Sequence, residues 1–137
     1  MENAAFKIVK YKFDKVNIDL SNFISENILL SFTTRGIFKP KQSEYELIFI
    51  IEAYNDDNKH KPFLMVQCIG NFSFEQVNTI EEIPDFFYKN CIAILFPYLR
   101  AYISIITSQA NIPGIMLPTL NLSSLENELR INTTIQN

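Results

Sequence analysis

Apolar and polar residues alternate from Phe6 to Leu20, but the alternation changes parity twice. Phe6 and Ile8 stand at even positions, Tyr11 and Phe13 at odd ones, and Val16, Ile18 and Leu20 at even ones again. One inserted residue sends every later side chain to the other face of a sheet, so each change predicts a bulge, one near Val9 and one at Asp14–Lys15. The segment is expected to form one long, strongly twisted strand.

Three more strands follow. From Ile28 to Phe38, the residues Ile28, Leu30 and Phe32 share one face, and Gly36 and Pro40 end the run. The stretch "SEYELIFIIEAYND" (43–56) is apolar on both faces at its centre, where Leu47, Phe49 and Ile51 oppose Ile48 and Ile50, so both sides of the sheet need cover there. The polar turn "NDDNKHK" (55–61) returns the chain into "PFLMVQCIGNFSF" (62–74), an antiparallel fourth strand. The expected arrangement is a four-stranded antiparallel meander.

After "TIEEIPD" the period changes from two to that of a helix. Pro84 suits a first-turn position, with Glu81, Glu82 and Asp85 near the positive end of the dipole. The helix is expected to reach about Gln109. The segment "NIPGIMLPTLNL" (111–122) reads as an apolar loop, and Ser123 with Glu126 reads as a capping box for a final helix carrying Leu125 and Leu129.

On a helical wheel the apolar side chains of residues 91–109 span roughly 220° of arc, about twice the stripe of an ordinary surface helix. One sheet cannot cover that, and each large side chain left wet forfeits about 1.5–3 kcal/mol. A second partner is expected to bury the remainder, with Ile92, Leu95, Phe96, Leu99, Ile103 and Ile106 at an interface between chains. Pro97, Arg100, Ser104, Thr107 and Ser108 fall in the complementary polar sector, where a proline kink costs least. A membrane span is disfavoured, because Arg100 and Pro97 interrupt the run and it falls short of the roughly 20 apolar residues a bilayer core needs.

Composition narrows the function classes. The chain has 137 residues, 47% hydrophobic and 20% charged, with a formal net charge of −3. This is one foldable domain, with residues 1–5 and 132–137 expected as loose tails, and there is no overall basic field to attract nucleic acid. Cys68 and Cys91 lack a CxxC spacing and read as buried free thiols in a reducing compartment. The first residues lack a charged start followed by an apolar core, so a cytoplasmic location is expected. The single histidine, His60, lies in the polar turn with Asp56 and Asp57 and no EF-hand spacing follows. No catalytic residue, metal or cofactor is expected, and the three glycines form no phosphate loop.

Several stretches carry a family resemblance. "ILFPYLR" (94–100) is similar to the "ILFPYAR" segment in the long helix of the SecB chaperones. Pro118, Leu120, Asn121 and Leu122 match the proline-containing loop and "LNLAPVNF"-like entry to their last helix. "GNFSF" (70–74) looks like the "GIFSI" stretch ending their fourth strand. The resemblance implies an α+β fold: a four-stranded antiparallel sheet with a long, twisted first strand, packed by one long Pro-kinked helix and a short C-terminal helix. It implies a homotetramer, a dimer of dimers with helices sandwiched between two sheets. The tetramer would act as an ATP-independent holdase for unfolded polypeptides, without membrane insertion. Relatives serve protein export through the SecA motor or protect an antitoxin as solitary chaperones, so the partners implied are unfolded clients and either SecA or an antitoxin. An adaptor for one specific peptide is the alternative. SecA docking in the family uses acidic residues on the sheet; the matching positions here are Lys15 and Asp19, and the fourth-strand acid falls near the uncharged Met65 or Val66.

A holdase needs adaptable apolar surface outside the packed layers. The groove candidates are Phe23 and Ile24 in the first crossover, Ile37 and Phe38 at a strand end, and Ile112, Ile115, Met116 and Leu117 in the loop between the helices.

Overall fold

A computed structural model describes residues 5–56, 58–112, 115, 117, 118 and 120–137. Strands β1 (Phe6–Ile18), β2 (Ile28–Lys39), β3 (Glu44–Asn55) and β4 (Leu64–Phe74) are followed by helices α1 (Asp85–Gln109) and α2 (Leu122–Ile131) and a short strand β5 (Thr133–Ile135). The sheet runs β1-β4-β3-β2-β5. It therefore has five strands where four were expected, and only β2, β3 and β4 form a meander. β1 pairs with β4, its chain crossing through residues 19–27 to start β2 at the far side. Residues 133–135 are no loose tail. They pair in parallel with Gly36–Phe38, and Gln136 N donates to Phe38 O at 2.9 Å.

Both parity changes in β1 are register shifts, between Ile8 and Lys10 and between Phe13 and Lys15. Phe6, Ile8, Tyr11, Phe13, Val16 and Ile18 consequently oppose Phe74, Phe72, Gly70, Cys68, Val66 and Leu64, the file of β4 that faces α1. Lys7, Lys10, Lys12 and Lys15 oppose Ser73, Asn71, Ile69 and Gln67 on the outer face. Two bulges thus sort a mixed sequence into an apolar and a cationic side.

The core lies between the sheet and α1. Phe87 is its aromatic hub, with ring centroids 4.8 Å from Tyr45, 4.9 Å from Phe6 and 4.7 Å from Phe74. Gly70 lets the helix approach, since a Cβ there would stand 3.1 Å from the Leu95 side chain. Gly36 admits the Tyr45 hydroxyl, with which any Cβ at that position would overlap. That hydroxyl bonds Thr133 Oγ1 at 2.6 Å and so ties β5 to the core.

The helix ends differ in detail from the expected ones. Pro84 stands just outside α1, and Asp85 is its first residue. The cap of α2 is Asn121, whose Oδ1 accepts from Ser124 N at 3.2 Å, so Ser123 lies inside the helix and is no cap. Thr107, expected on the polar side of α1, is fully buried because its hydroxyl donates to Ile103 O at 2.7 Å and needs no water.

Candidate polypeptide-binding groove

α1 has two unlike apolar sides. Phe87, Tyr88, Cys91, Ile92, Leu95, Phe96, Leu99 and Ile103 are buried within this chain. The interface expected from Ile92, Leu95, Phe96, Leu99 and Ile103 is therefore corrected: the chain's own core takes those side chains and leaves no area for a second chain, while Ile106 is half-buried. The side left open carries Ile94, Tyr98, Ala101, Tyr102 and Ile105, of which Ile105 is 59% exposed. Tyr11 stacks on Tyr98 at 4.2 Å and Phe13 on Tyr102 at 4.0 Å, which extends the open side onto β1.

The second open apolar region lies along β2. At Thr34 the strand is closed over, its hydroxyl donating to Leu125 O of α2 at 3.3 Å. Toward the start of β2 the same face carries Ile28, Leu30 and Phe32, all half-buried against the core. Phe32 meets Phe96 edge-on at 6.5 Å, and the Arg100 guanidinium sits 4.9 Å from the centre of the Phe96 ring. The main chain beside this floor is unpaired. Gly36 N donates to Asn132 O, so even-numbered residues of β2 aim their backbone groups away from β3. Among the described residues nothing takes those of Leu30, Phe32 and Thr34. Half-covered apolar floor next to free N–H and C=O groups is the surface an extended peptide adds to.

One side of this groove is set by Asn55, which is fully buried. Its Oδ1 accepts from Ile24 N at 2.5 Å and Ser25 N at 3.2 Å, and its Nδ2 donates to Ser25 O at 2.7 Å and Asn27 O at 3.2 Å. The crossover is thereby clamped with Phe23 turned in, edge-on to Phe63 at 4.9 Å, and Ile24 turned out at 58% exposure. In the sequence Asn55 falls where the strand stretch 43–56 overlaps the polar turn 55–61. Its signal was parity: it continues the odd-numbered file Tyr45, Leu47, Phe49, Ile51 and Ala53, every member of which is buried.

The other groove candidates divide. Ile37 is half-buried on the opposite face of the sheet, and Ile112 is half-buried after α1. Phe38, Ile115 and Leu117 are corrections: Phe38 packs at 6.2 Å against Phe74, and the described part of the loop turns Ile115 and Leu117 into the core. Met116 lies outside the described residues, as does Asp57 of the polar turn. Phe32, Leu30 and Ile28 were read only as strand face, because periodicity does not say where a covering helix stops.

The remaining chemistry is quiet. Burial pushes the Cys68 thiol up to about 12 and raises Cys91 as well, and Cys91 Sγ donates to Tyr88 O at 3.3 Å. Both thiols stay protonated and are poor nucleophiles. Asp19 is spent locally: the Ser21 hydroxyl and N–H donate to its carboxylate and hold it below its usual range, capping the turn Leu20–Asn22. Lys15 is on the outer face opposite Gln67, Met65 is half-buried on that face, and Val66 is buried on the other.

The family model described as preprotein translocase subunit SecB matches residues 27–130, from the start of β2 almost to the end of α2. The chain belongs to the SecB family. This is a family of soluble cytosolic chaperones and not of enzymes. An uncharacterized protein of Methanocaldococcus jannaschii, MJ0357, is 40% identical over 70 residues, covering 51% of this chain and 44% of its own length. The chain thus spans under half the length of that relative. Among solved structures, the Mycobacterium tuberculosis SecB-like chaperone Rv1957, in complex with a ChAD peptide from the HigA1 antitoxin Rv1956, superposes with a TM-score of 0.59 at 16% identity. That superposition covers 85% of this chain and 91% of the other, a likeness of fold. A Streptococcus agalactiae protein of unknown function aligns over 86% of this chain and all of its own, at 11% identity and a TM-score of 0.49.

α1 is long and apolar enough to cross a bilayer by composition alone, but nine of its residues are buried within the protein.

Proposed function

We propose that this SecB-family chain is an ATP-independent holdase that takes up unfolded polypeptide along β2. The observation that carries the reading is the half-covered file Ile28, Leu30 and Phe32 lying beside the unpaired main chain of Leu30, Phe32 and Thr34. A client adding as an extra strand gains main-chain hydrogen bonds worth about 0.5–1.5 kcal/mol each whatever its sequence. Its alternate apolar side chains drop onto the floor between Phe96 and the crossover. Backbone pairing supplies generality, and the apolar floor selects unfolded over folded chains. Release then follows from affinity and handover to a partner.

The open side of α1, with Tyr98 and Ile105 at its centre, is the surface for chain association in a dimer of dimers. Tyr98 and Ile105 are exposed and Ile94 and Tyr102 half-buried; covering them recovers part of the roughly 1.5–3 kcal/mol that each full burial is worth, which favours an oligomer over a monomer. Lys15 stands where SecA-docking relatives carry an acid, and Asp19 is engaged with Ser21. The reading is therefore a solitary chaperone in preference to a SecA-delivering export factor.

The test is suppression of aggregation when a urea-unfolded client is diluted into buffer without nucleotide, with light scattering of the complex reporting protomer count. Wild type is expected to suppress aggregation. Leu30→Lys is expected to lose the activity while its unfolding free energy falls by no more than about 1–2 kcal/mol, since Leu30 is only half-buried. A folded wild-type oligomer that leaves aggregation unchanged refutes the proposal. The peptide-bound Mycobacterium neighbour favours a second reading, a dedicated adaptor. A panel of unrelated unfolded chains separates the two, because an adaptor binds one peptide tightly and ignores the panel.

A further inference from the structure

The outer face of β1, away from both helices, carries a feature that a client groove on β2 does not use. By sequence number Lys7 and Lys15 are odd and Lys10 and Lys12 even, so an unbroken strand would send two lysines to each face. The two bulges instead bring all four to one side, opposite Ser73, Asn71, Ile69 and Gln67 in successive two-residue steps. The ammonium groups leave the sheet at regular intervals of roughly 6.6 Å over roughly 20 Å.

All four lysines are exposed, and among the described residues none has a carboxylate within 4.0 Å. The nearest acid in the strand, Asp14, is held by Gln67 Nε2 at 3.1 and 3.2 Å. Four cations against one aspartate leave the file strongly positive on a chain whose net charge is −3. Two strands away on the same face stand Glu44, Glu46 and Glu52 of β3, Glu46 paired with Lys39 at 3.5 Å. An anionic partner is thus confined to a strip about 10 Å wide over β1 and β4. That is the width of one extended chain.

We propose that this lysine file docks an acidic polypeptide segment lying extended along β1, with Asp or Glu at every second residue. A strand's same-face side chains repeat at the spacing of the lysines, so each carboxylate meets one ammonium group. The neutral file of β4, Met65, Gln67, Ile69, Asn71 and Ser73, lies beside it without repelling the backbone. A nucleic acid fits less well. A duplex overhangs the glutamates of β3, and the outer positions of β1 and β4 hold no aromatic ring on which single-stranded bases could stack.

The experiment titrates the full chain with a fluorescein-labelled peptide of six Asp-Ser repeats. The comparison ligands are a peptide of the same composition with all aspartates at one end and an oligothymidylate of equal charge. Each exposed pair contributes a factor of roughly 1.5–5. Lys7→Gln/Lys10→Gln/Lys12→Gln/Lys15→Gln is therefore expected to weaken the alternating peptide at least about fivefold, with unfolding midpoint and aggregation suppression unchanged. Wild-type affinity is expected to fall steeply between 50 and 200 mM salt, as screening of exposed charges requires. The proposal is overturned by equal binding of wild type and quadruple variant, by tighter binding of the oligothymidylate, or by a concentration-dependent self-association that the four substitutions abolish. Because the readout is peptide binding on the other face of the sheet, it stands or falls apart from the holdase assay.

Discussion

Asn55→Ala tests whether one buried amide holds the crossover that borders the groove. The wild-type side chain makes four hydrogen bonds at zero exposure, two accepted from Ile24 and Ser25 N–H and two donated to Ser25 and Asn27 C=O. At about 0.5–1.5 kcal/mol each their sum is roughly 2–6 kcal/mol. The partners lie on a half-open segment where water can replace part of the loss, so the lower end, about 2–3 kcal/mol, is expected. Urea unfolding measures the total, and amide exchange at residues 24–27 locates it. Protection there should fall before that of β3 and β4, because the clamp and not the sheet is cut. Client affinity should weaken too, since Phe23 and Ile24 lose their fixed placement. A destabilisation under 0.5 kcal/mol with exchange at Ile24 and Ser25 unchanged would show that the crossover is held by Phe23 on Phe63 and refute the clamp.

Gly36→Ala sets a Cβ against the Tyr45 hydroxyl, expelling it from Thr133 Oγ1; a loss of about 1–3 kcal/mol is expected by chemical denaturation. Adding Tyr45→Leu removes both the hydroxyl and the ring carbons that the new Cβ would meet, so the double variant should be less destabilised than the sum of the singles, and strict additivity would count against the contact. For the thiols, burial favours the protonated form in the folded state. Stability from this source is therefore full below the unfolded thiol range near 8.5 and is lost as pH rises toward the folded value of about 12 for Cys68. The urea midpoint should fall between pH 8 and pH 10, less so in Cys68→Ala/Cys91→Ala, and a native chain should resist an aromatic disulfide reagent until unfolded.

Strand positions and both bulges were legible because parity in a half-buried strand is enforced by burial at every residue. Strand order was not: the crossover carries the chain from β1 past β4 and β3 to β2, and no local pattern says which neighbour a strand will choose. The breadth of the apolar arc on α1 was read correctly, but its division was not. A wheel gives the width of a stripe and is silent on which half meets the chain's own sheet, so Leu95 and Leu99 were assigned outward while Tyr98 and Ile105 hold the open side. Thr107 and Asn55 misled for one shared reason. Each satisfies its polar atoms within the chain and can then be buried like an apolar residue. β5 was missed because three residues after a helix carry no period, and its anchor, Tyr45 on Thr133, joins positions far apart in sequence.

The two long edge strands differ in a way that says which one is the working edge. An exposed edge invites pairing with any extended chain, and proteins blunt it with lysines and bulges. β1 has both devices, four lysines and two register shifts within Phe6–Ile18. β2 has neither from Ile28 to Thr34: the run Ile28, Leu29, Leu30, Ser31, Phe32, Thr33, Thr34 contains no charge and no proline, and its pairing with β3 is unbroken. Beyond it Arg35 is exposed, and β5 occupies the edge from Gly36 to Phe38. Protection covers the β1 edge and is missing on β2 at the seven residues whose inner face is half-open. A chain that merely needed to stay monodisperse would place a charge there. Its absence beside an apolar floor is what a surface for extended polypeptide requires, and introducing one at Leu30 is for that reason the substitution on which the holdase reading turns.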